Sequence, residues 1–160
     1  MNLKKISTSL LTLTTVAALP VSTSAQAVNQ TKISQCNQII AIANQAVKDT
    51  NAITNREQAS SPGDMLKAAE ALESAARQLE NLAIIDQRLQ SYRLRYVNIY
   101  RQTSSATRDF LTAYERRDPD EARTAIQALQ VATSPEKQLV SEINNYCTQA
   151  LLETSMLLKD

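Results

Sequence analysis

From Ile33 onward, apolar and small residues recur every three or four positions, the spacing that puts them on one face of an α-helix. Ile33, Cys36, Ile40, Ala43, Val47, Thr50 and Thr54 form a first stripe, widened by Ile39, Ala46 and Ile53. Ser60-Ser61-Pro62-Gly63-Asp64 interrupts it and restarts a helix, with Ser61 as N-cap, Pro62 at the first helical position and Asp64 near the positive end of the dipole. Met65, Ala69, Leu72, Ala76, Leu79 and Leu82/Ala83 carry the second stripe.

A third begins near Asp86, where Ile85, Leu89, Tyr92, Tyr96, Ile99, Thr103, Ala106, Phe110 and Ala113 alternate four and three apart. It predicts a helix about 45 Å long at about 1.5 Å per residue. Asp118-Pro119-Asp120-Glu121 ends it after Arg117 and opens a fourth helix on Ala122, Ala125, Ile126, Leu129 and Ala132. Ser134-Pro135-Glu136 repeats the cap-and-proline signal before a last stripe of Val140, Ile143, Cys147, Ala150, Thr154 and Leu157. That second signal marks either a separate helix or a kink in one long helix.

The residues before these stripes read as an address. Lys4 and Lys5 precede an uncharged apolar run, Ile6 to Leu19, which Pro20 breaks and Ala25-Gln26-Ala27 follows with a small-x-small cleavage pattern. Residues 1–27 are therefore expected to be a secretory signal peptide and 28–160 a soluble, exported helical domain. The apolar run falls short of the roughly 20 residues a bilayer span needs. Ile33-Ser34-Gln35 before Cys36 is no lipobox, so no lipid anchor is expected. Asn29-Gln30-Thr31 has the form of a glycosylation sequon, which matters only in a eukaryotic source.

Composition supports the helical reading: 160 residues include one glycine, Gly63, and no tryptophan. Lys and Arg number 17 against 16 Asp and Glu, and two of the lysines lie in the signal peptide, so the mature chain carries one acid more than its bases. Such a balance argues against a nucleic-acid partner, whose binding rests on a basic surface.

The cysteines order the helices. Cys36 and Cys147 both lie on apolar stripes, and in an exported chain with two cysteines pairing is expected. Their Cα atoms must then come within about 7 Å. A continuous descent from Asp118 to Cys147 covers about 43 Å and returns Cys147 level with Cys36, whereas reversal at Ser134-Pro135 leaves it roughly 35 to 40 Å too high. The expected architecture is an all-α, up-down-up-down four-helix bundle. Its last helix is kinked at Pro135, and a disulfide joins its first and last helices. The Cys-x-x-Cys pattern that lowers a thiol pKa is absent, so a redox-active role is disfavoured.

The chain has no histidine, which removes haem ligation, Glu-x-x-His di-iron sites and hydrolase triads; one glycine cannot build a P-loop or a dinucleotide fingerprint. No enzyme activity and no cofactor are expected. Glu70/Glu73 read as a solvated face and Asp118/Asp120/Glu121 as helix capping, the latter without the spacing of an EF-hand.

Three features remain as candidates for binding. Arg93, Arg101, Arg108 and Arg116 share the side of the third helix opposite Tyr96 and Phe110, a cationic face expected in water; it would serve solubility and ion pairing, or bind an anionic partner. Arg88, Arg95 and Arg117 fall nearer the core edge, where pairing with acids of adjoining helices is expected. Tyr92, Tyr96 and Tyr100 form a ladder read first as packing and second as hydroxyls facing a ligand groove. The segment after Cys147, with Leu151, Leu152, Met156, Leu157 and Leu158, would overhang a bundle ending level with the disulfide; it would fold over the open end or dock on a second copy, a partner or a membrane surface.

The segments QCNQIIAIANQAV, YVNIYRQTSSATRDFLTAYERRD and SPEKQLVSEINNYC resemble small exported helical proteins of cyanobacteria that have no assigned function. The resemblance implies an envelope, periplasmic or lumenal location, with the extracellular space as the further option, and carries over no site residues. In architecture alone the chain is also similar to the four-helix lumenal extrinsic subunit of photosystem II, without the lipid-modified cysteine usual in the cyanobacterial form. Two functions follow as expectations: a non-catalytic interaction or structural module with a protein partner, or a carrier or stress protein holding a small ligand between its helices.

Overall fold

The computed structural model describes residues 23–54 and 61–157, with side chains from 31 to 53 and 61 to 156. Among the described residues the chain is helical, without strands: α1 Thr23–Thr54, α2 Pro62–Glu80, α3 Gln87–Arg116, α4 Pro119–Thr133 and α5 Glu136–Leu157. α4 and α5 form one helix bent by 15°, so the architecture is the up-down-up-down four-helix bundle expected from the cysteines. Residues 1–22 of the expected signal peptide, Ser60 and Leu158 lie outside the described residues.

Local chemistry accounts for each boundary. Ser61 accepts from the Asp64 N–H while the Asp64 carboxylate accepts from the Ser61 N–H, a reciprocal capping box with Pro62 inside it. Asp86 Oδ1 accepts from the backbone of Arg88 and Leu89, and Asp118 Oδ1 from that of Asp120 and Glu121. Arg117 closes α3 in the left-handed region at φ 55°, letting the Asp118 N–H reach the Ala113 carbonyl at 2.9 Å. At the bend, Pro135 has no N–H to give the carbonyl of Val131, and the Ser134 hydroxyl donates to that carbonyl instead, at 3.0 Å.

The helices pack in ring order, α1 on α2, α2 on α3, α3 on α4, and α5 back on α1. Cys36, Ile39, Leu79, Leu89, Leu139 and Ile143 are fully or almost fully buried at the centre. Tyr92, Tyr96 and Tyr100 are buried with them, the packing role expected of that ladder. Alanines dominate the rest, notably Ala68, Ala69, Ala75 and Ala76 on α2, which let α3 approach closely enough for Ser104 to donate to the Ala69 carbonyl at 2.8 Å.

Several stripe assignments are corrected. Ile85 is 73% exposed and Ile84 is buried in its place, because residues 82–85 are not helical and the heptad rhythm of α3 cannot be extended through them. Val140 is exposed and Leu139 buried, because the bend at Pro135 resets the register; the core face of α5 runs Leu139, Ile143, Cys147, Ala150 and Thr154. Ile126 is exposed, leaving Ala125 and Ala132 as the buried residues of α4. The first helix also begins at Thr23, ahead of the expected start at Ile33, and continues through Ala25-Gln26-Ala27.

Candidate functional site

The disulfide end is rigidly tied. Cys36 and Cys147 are bonded with their Cα atoms 5.9 Å apart. Beside them the buried Gln35 side chain accepts from the N–H groups of Ile85 and Asp86, at 2.7 and 3.1 Å, satisfying a backbone stretch that belongs to no helix. Tyr146 donates to Asp86 Oδ2, and Lys32 and Arg88 both lie 5.1 Å from the centre of its ring. Arg88 also donates to the Tyr92 hydroxyl at 3.1 Å, and Arg95 pairs with Glu142. That last hydrogen bond holds the Glu142 carboxyl below its ordinary pKa. Tyr146, Lys32, Arg88 and Arg95 fasten one helix to another and Gln35 fastens α1 to the α2–α3 connection, which is an anchoring arrangement.

The cationic face of α3 is largely consumed by structure. Arg93 is half-buried, and its Nη1 donates to the carbonyls of Glu80 and Leu82, at 3.0 and 2.8 Å, capping the C-terminus of α2. Arg93 therefore does not face water as the wheel predicts, because the end of α2 covers it. Arg101 binds Glu80 in a two-pronged pair at 3.1 and 2.7 Å, and Arg116 reaches Glu121 at 3.7 Å. Arg108 is exposed. Of the core-edge arginines, Arg95 pairs across helices as expected, whereas Arg88 stacks on Tyr146 and Arg117 serves as the α3 cap.

The segment after Cys147 does not overhang an empty end, because α1 starts early enough to run beside it. Ala150 and Thr154 are buried and Lys32 reaches Glu153 at 3.7 Å. Leu151, Leu152 and Met156 remain 53%, 57% and 62% exposed on the other side of α5. The side chain of Leu157 falls outside the described residues. The arginines pair with α2 and α4 and the tail packs on α1, so these two sets form no common site.

The feature the sequence does not show is a cavity of about 380 Å³ at the level of the bend, lined by all four helices of the bundle. Val47, Met65, Leu72, Ile99 and Tyr100 form apolar walls, with Thr103 and Thr107 on α3 and Thr133 and Glu136 on either side of the Pro135 bend. Val47, read from its spacing as core, is 46% exposed because it borders this space. The cavity exists because Ala68 presents only a methyl group to it, and because the last helix leans on α3 above the bend and on α1 below it. Its volume is in the range of pockets for small organic molecules, and its composition, apolar with a few polar groups, is what such pockets share.

The electrostatics inside are uneven. Burial holds the Glu136 carboxyl above the ordinary carboxylate range. Burial, aided by the Glu136 charge, pushes the Tyr96 phenol up to about 12 and the Tyr100 phenol further still. Thr103 Oγ1 is buried and without a hydrogen-bond partner among the described residues. No group of three or more Cys, Asp or Glu among the described residues is placed to hold a metal ion. No protein-family model, curated protein or solved structure matches this chain.

Proposed function

We propose that the protein is an exported, non-catalytic helical bundle that carries a small amphipathic molecule between its helices. The cavity at the bend carries this reading: it is ligand-sized, mainly apolar, lined by all four helices and contains one buried polar atom, Thr103 Oγ1, that has no partner among the described residues. A rigid frame suits such a role, and the disulfide with its surrounding cluster supplies one. Export is supported by the N-terminal charge and apolar pattern and by the intact disulfide, which persists in oxidising compartments. None of the described helices is long and apolar enough to cross a membrane. Cleavage after Ala27 would leave α1 starting at Val28, with Lys32, Gln35 and Cys36 retained. The resemblance to exported cyanobacterial proteins supports an envelope, periplasmic or lumenal location.

Native mass spectrometry of the protein secreted by a host through its own leader tests both parts. The expected result is a mature N-terminus at Val28 and a bound small molecule that is lost when Ala68→Leu fills the cavity. A molecule retained by the folded Ala68→Leu variant would place it elsewhere.

A second reading, an interaction module with a protein partner or a peripheral membrane surface, is favoured by the exposed Leu151, Leu152 and Met156 on α5. Sedimentation of the secreted protein at rising concentration, alone and with anionic lipid vesicles, tests it. Replacing Leu152 and Met156 by Gln should abolish any association seen.

A further inference from the structure

Most of the polar side chains around the cavity present acceptor oxygens, the Thr103 hydroxyl, unpartnered among the described residues, and the Asn51 amide being able to donate as well. Thr107 donates its hydroxyl proton to the Thr103 carbonyl at 2.8 Å and Thr133 donates to the Leu129 carbonyl at 2.9 Å, so both offer a ligand an acceptor oxygen. The Tyr100 hydroxyl is turned toward the Ala43 carbonyl, 3.5 Å away. Glu136 adds a carboxylate that receives no hydrogen bond and no ion pair from the described residues, and no lysine or arginine lines the space. A half-buried carboxylate facing apolar walls without a counter-charge is the arrangement that a cation relieves. Thr50, Asn51 and Thr103 add uncharged polar groups, and Val47, Met65, Leu72 and Ile99 supply an apolar wall for the body of a ligand.

We infer that the ligand is a small organic cation, an ammonium group on an apolar body, with the ammonium at Glu136 and its body against Val47, Leu72 and Ile99. This rests on the reading of the cavity as a ligand site and adds the charge of what fills it. The ammonium donates to the Glu136 carboxylate and the threonine oxygens, and the Tyr100 ring contributes an aromatic edge to the site. An anion is excluded by the carboxylate, and a neutral alcohol leaves the charge uncompensated.

Hexylamine, 1-hexanol and hexanoate share one body and differ in the head group, so their affinities for the disulfide-intact protein separate the terms. Calorimetric titration should show hexylamine binding about tenfold or more tighter than 1-hexanol, with hexanoate weakest, because charge-assisted hydrogen bonds are about twice as strong as neutral ones. Glu136→Gln, which keeps the shape of the side chain, should erase the preference for the amine and retain the alcohol. Ala68→Leu should abolish all three. Equal binding of amine and alcohol, or a preference that survives Glu136→Gln, overturns the cation and leaves the ligand site standing. If none of the three binds the wild type, or Ala68→Leu binds all of them unchanged, the cavity is not a ligand site and both proposals fall.

Discussion

The hydroxyl of Tyr146 donates to Asp86 Oδ2 at 2.8 Å, joining residues 60 positions apart while the other oxygen of the same carboxylate caps α3. One acid thus fixes the start of one helix and the flank of another. Tyr146→Phe should cost about 1.5–3 kcal/mol, since it deletes a hydrogen bond to a charged group. Asp86→Ala should cost more, because it removes the cap as well, typically worth about 1 kcal/mol. Urea denaturation of both single variants and the double variant should show a coupling of about 1 kcal/mol. Strictly additive losses would mean that the pair does not interact in solution.

The disulfide spans 111 residues, so it removes much of the freedom of the unfolded chain. Replacing both cysteines by alanine should destabilise the domain by about 2–5 kcal/mol and lower its melting temperature by roughly 6–20 °C. Differential scanning calorimetry with and without reductant makes the same comparison on the unaltered sequence. An unchanged melting temperature on full reduction would remove the staple from the stability account.

Tyr96 and Tyr146 predict behaviour in alkali. Burial is the main cause in both cases; the Glu136 charge adds to it at Tyr96, and the hydrogen bond to Asp86 and that residue's charge add at Tyr146, so each phenol is pushed up to about 12. In the unfolded chain each ionises near its ordinary value of about 10. Between pH 10 and 12 the folded state keeps protons that the unfolded state has lost, so this stability is fully present below pH 10 and is lost as pH rises toward 12. Denaturation free energies should fall across that window, and less steeply in the Tyr146→Phe variant. A slope that Tyr146→Phe does not alter would contradict the assignment. Tyrosine absorbance should likewise show three phenols that titrate late, Tyr96, Tyr100 and Tyr146.

The helical plan was legible because the chain marks it chemically. Ser61-Pro62, Asp118-Pro119 and Ser134-Pro135 state where helices begin or bend, and Cys36 with Cys147 decides which way the last one runs. Registers beside irregular backbone were not legible: Ile84 rather than Ile85 and Leu139 rather than Val140 are buried, since periodicity carries no information across a loop or a proline bend. Arg93 defeated the wheel because a wheel knows one helix, and what covers Arg93 is the end of another. The cavity is a property of packing. Glu136 is a first-turn acid in sequence, and only the assembly of four helices shows that its carboxylate borders apolar walls with no partner; the tyrosine ladder was the one clue that pointed near it.

The most direct test of the account is where a small amphipathic molecule lands. Titrating ¹⁵N-labelled, disulfide-intact protein with hexylamine should shift the amide signals of Val47, Leu72, Tyr100, Thr103, Thr107 and Glu136, residues brought together only by the cavity at the bend. Shifts confined to Leu151, Leu152 and Met156 on the outer face of α5, with the cavity residues unmoved, would contradict it.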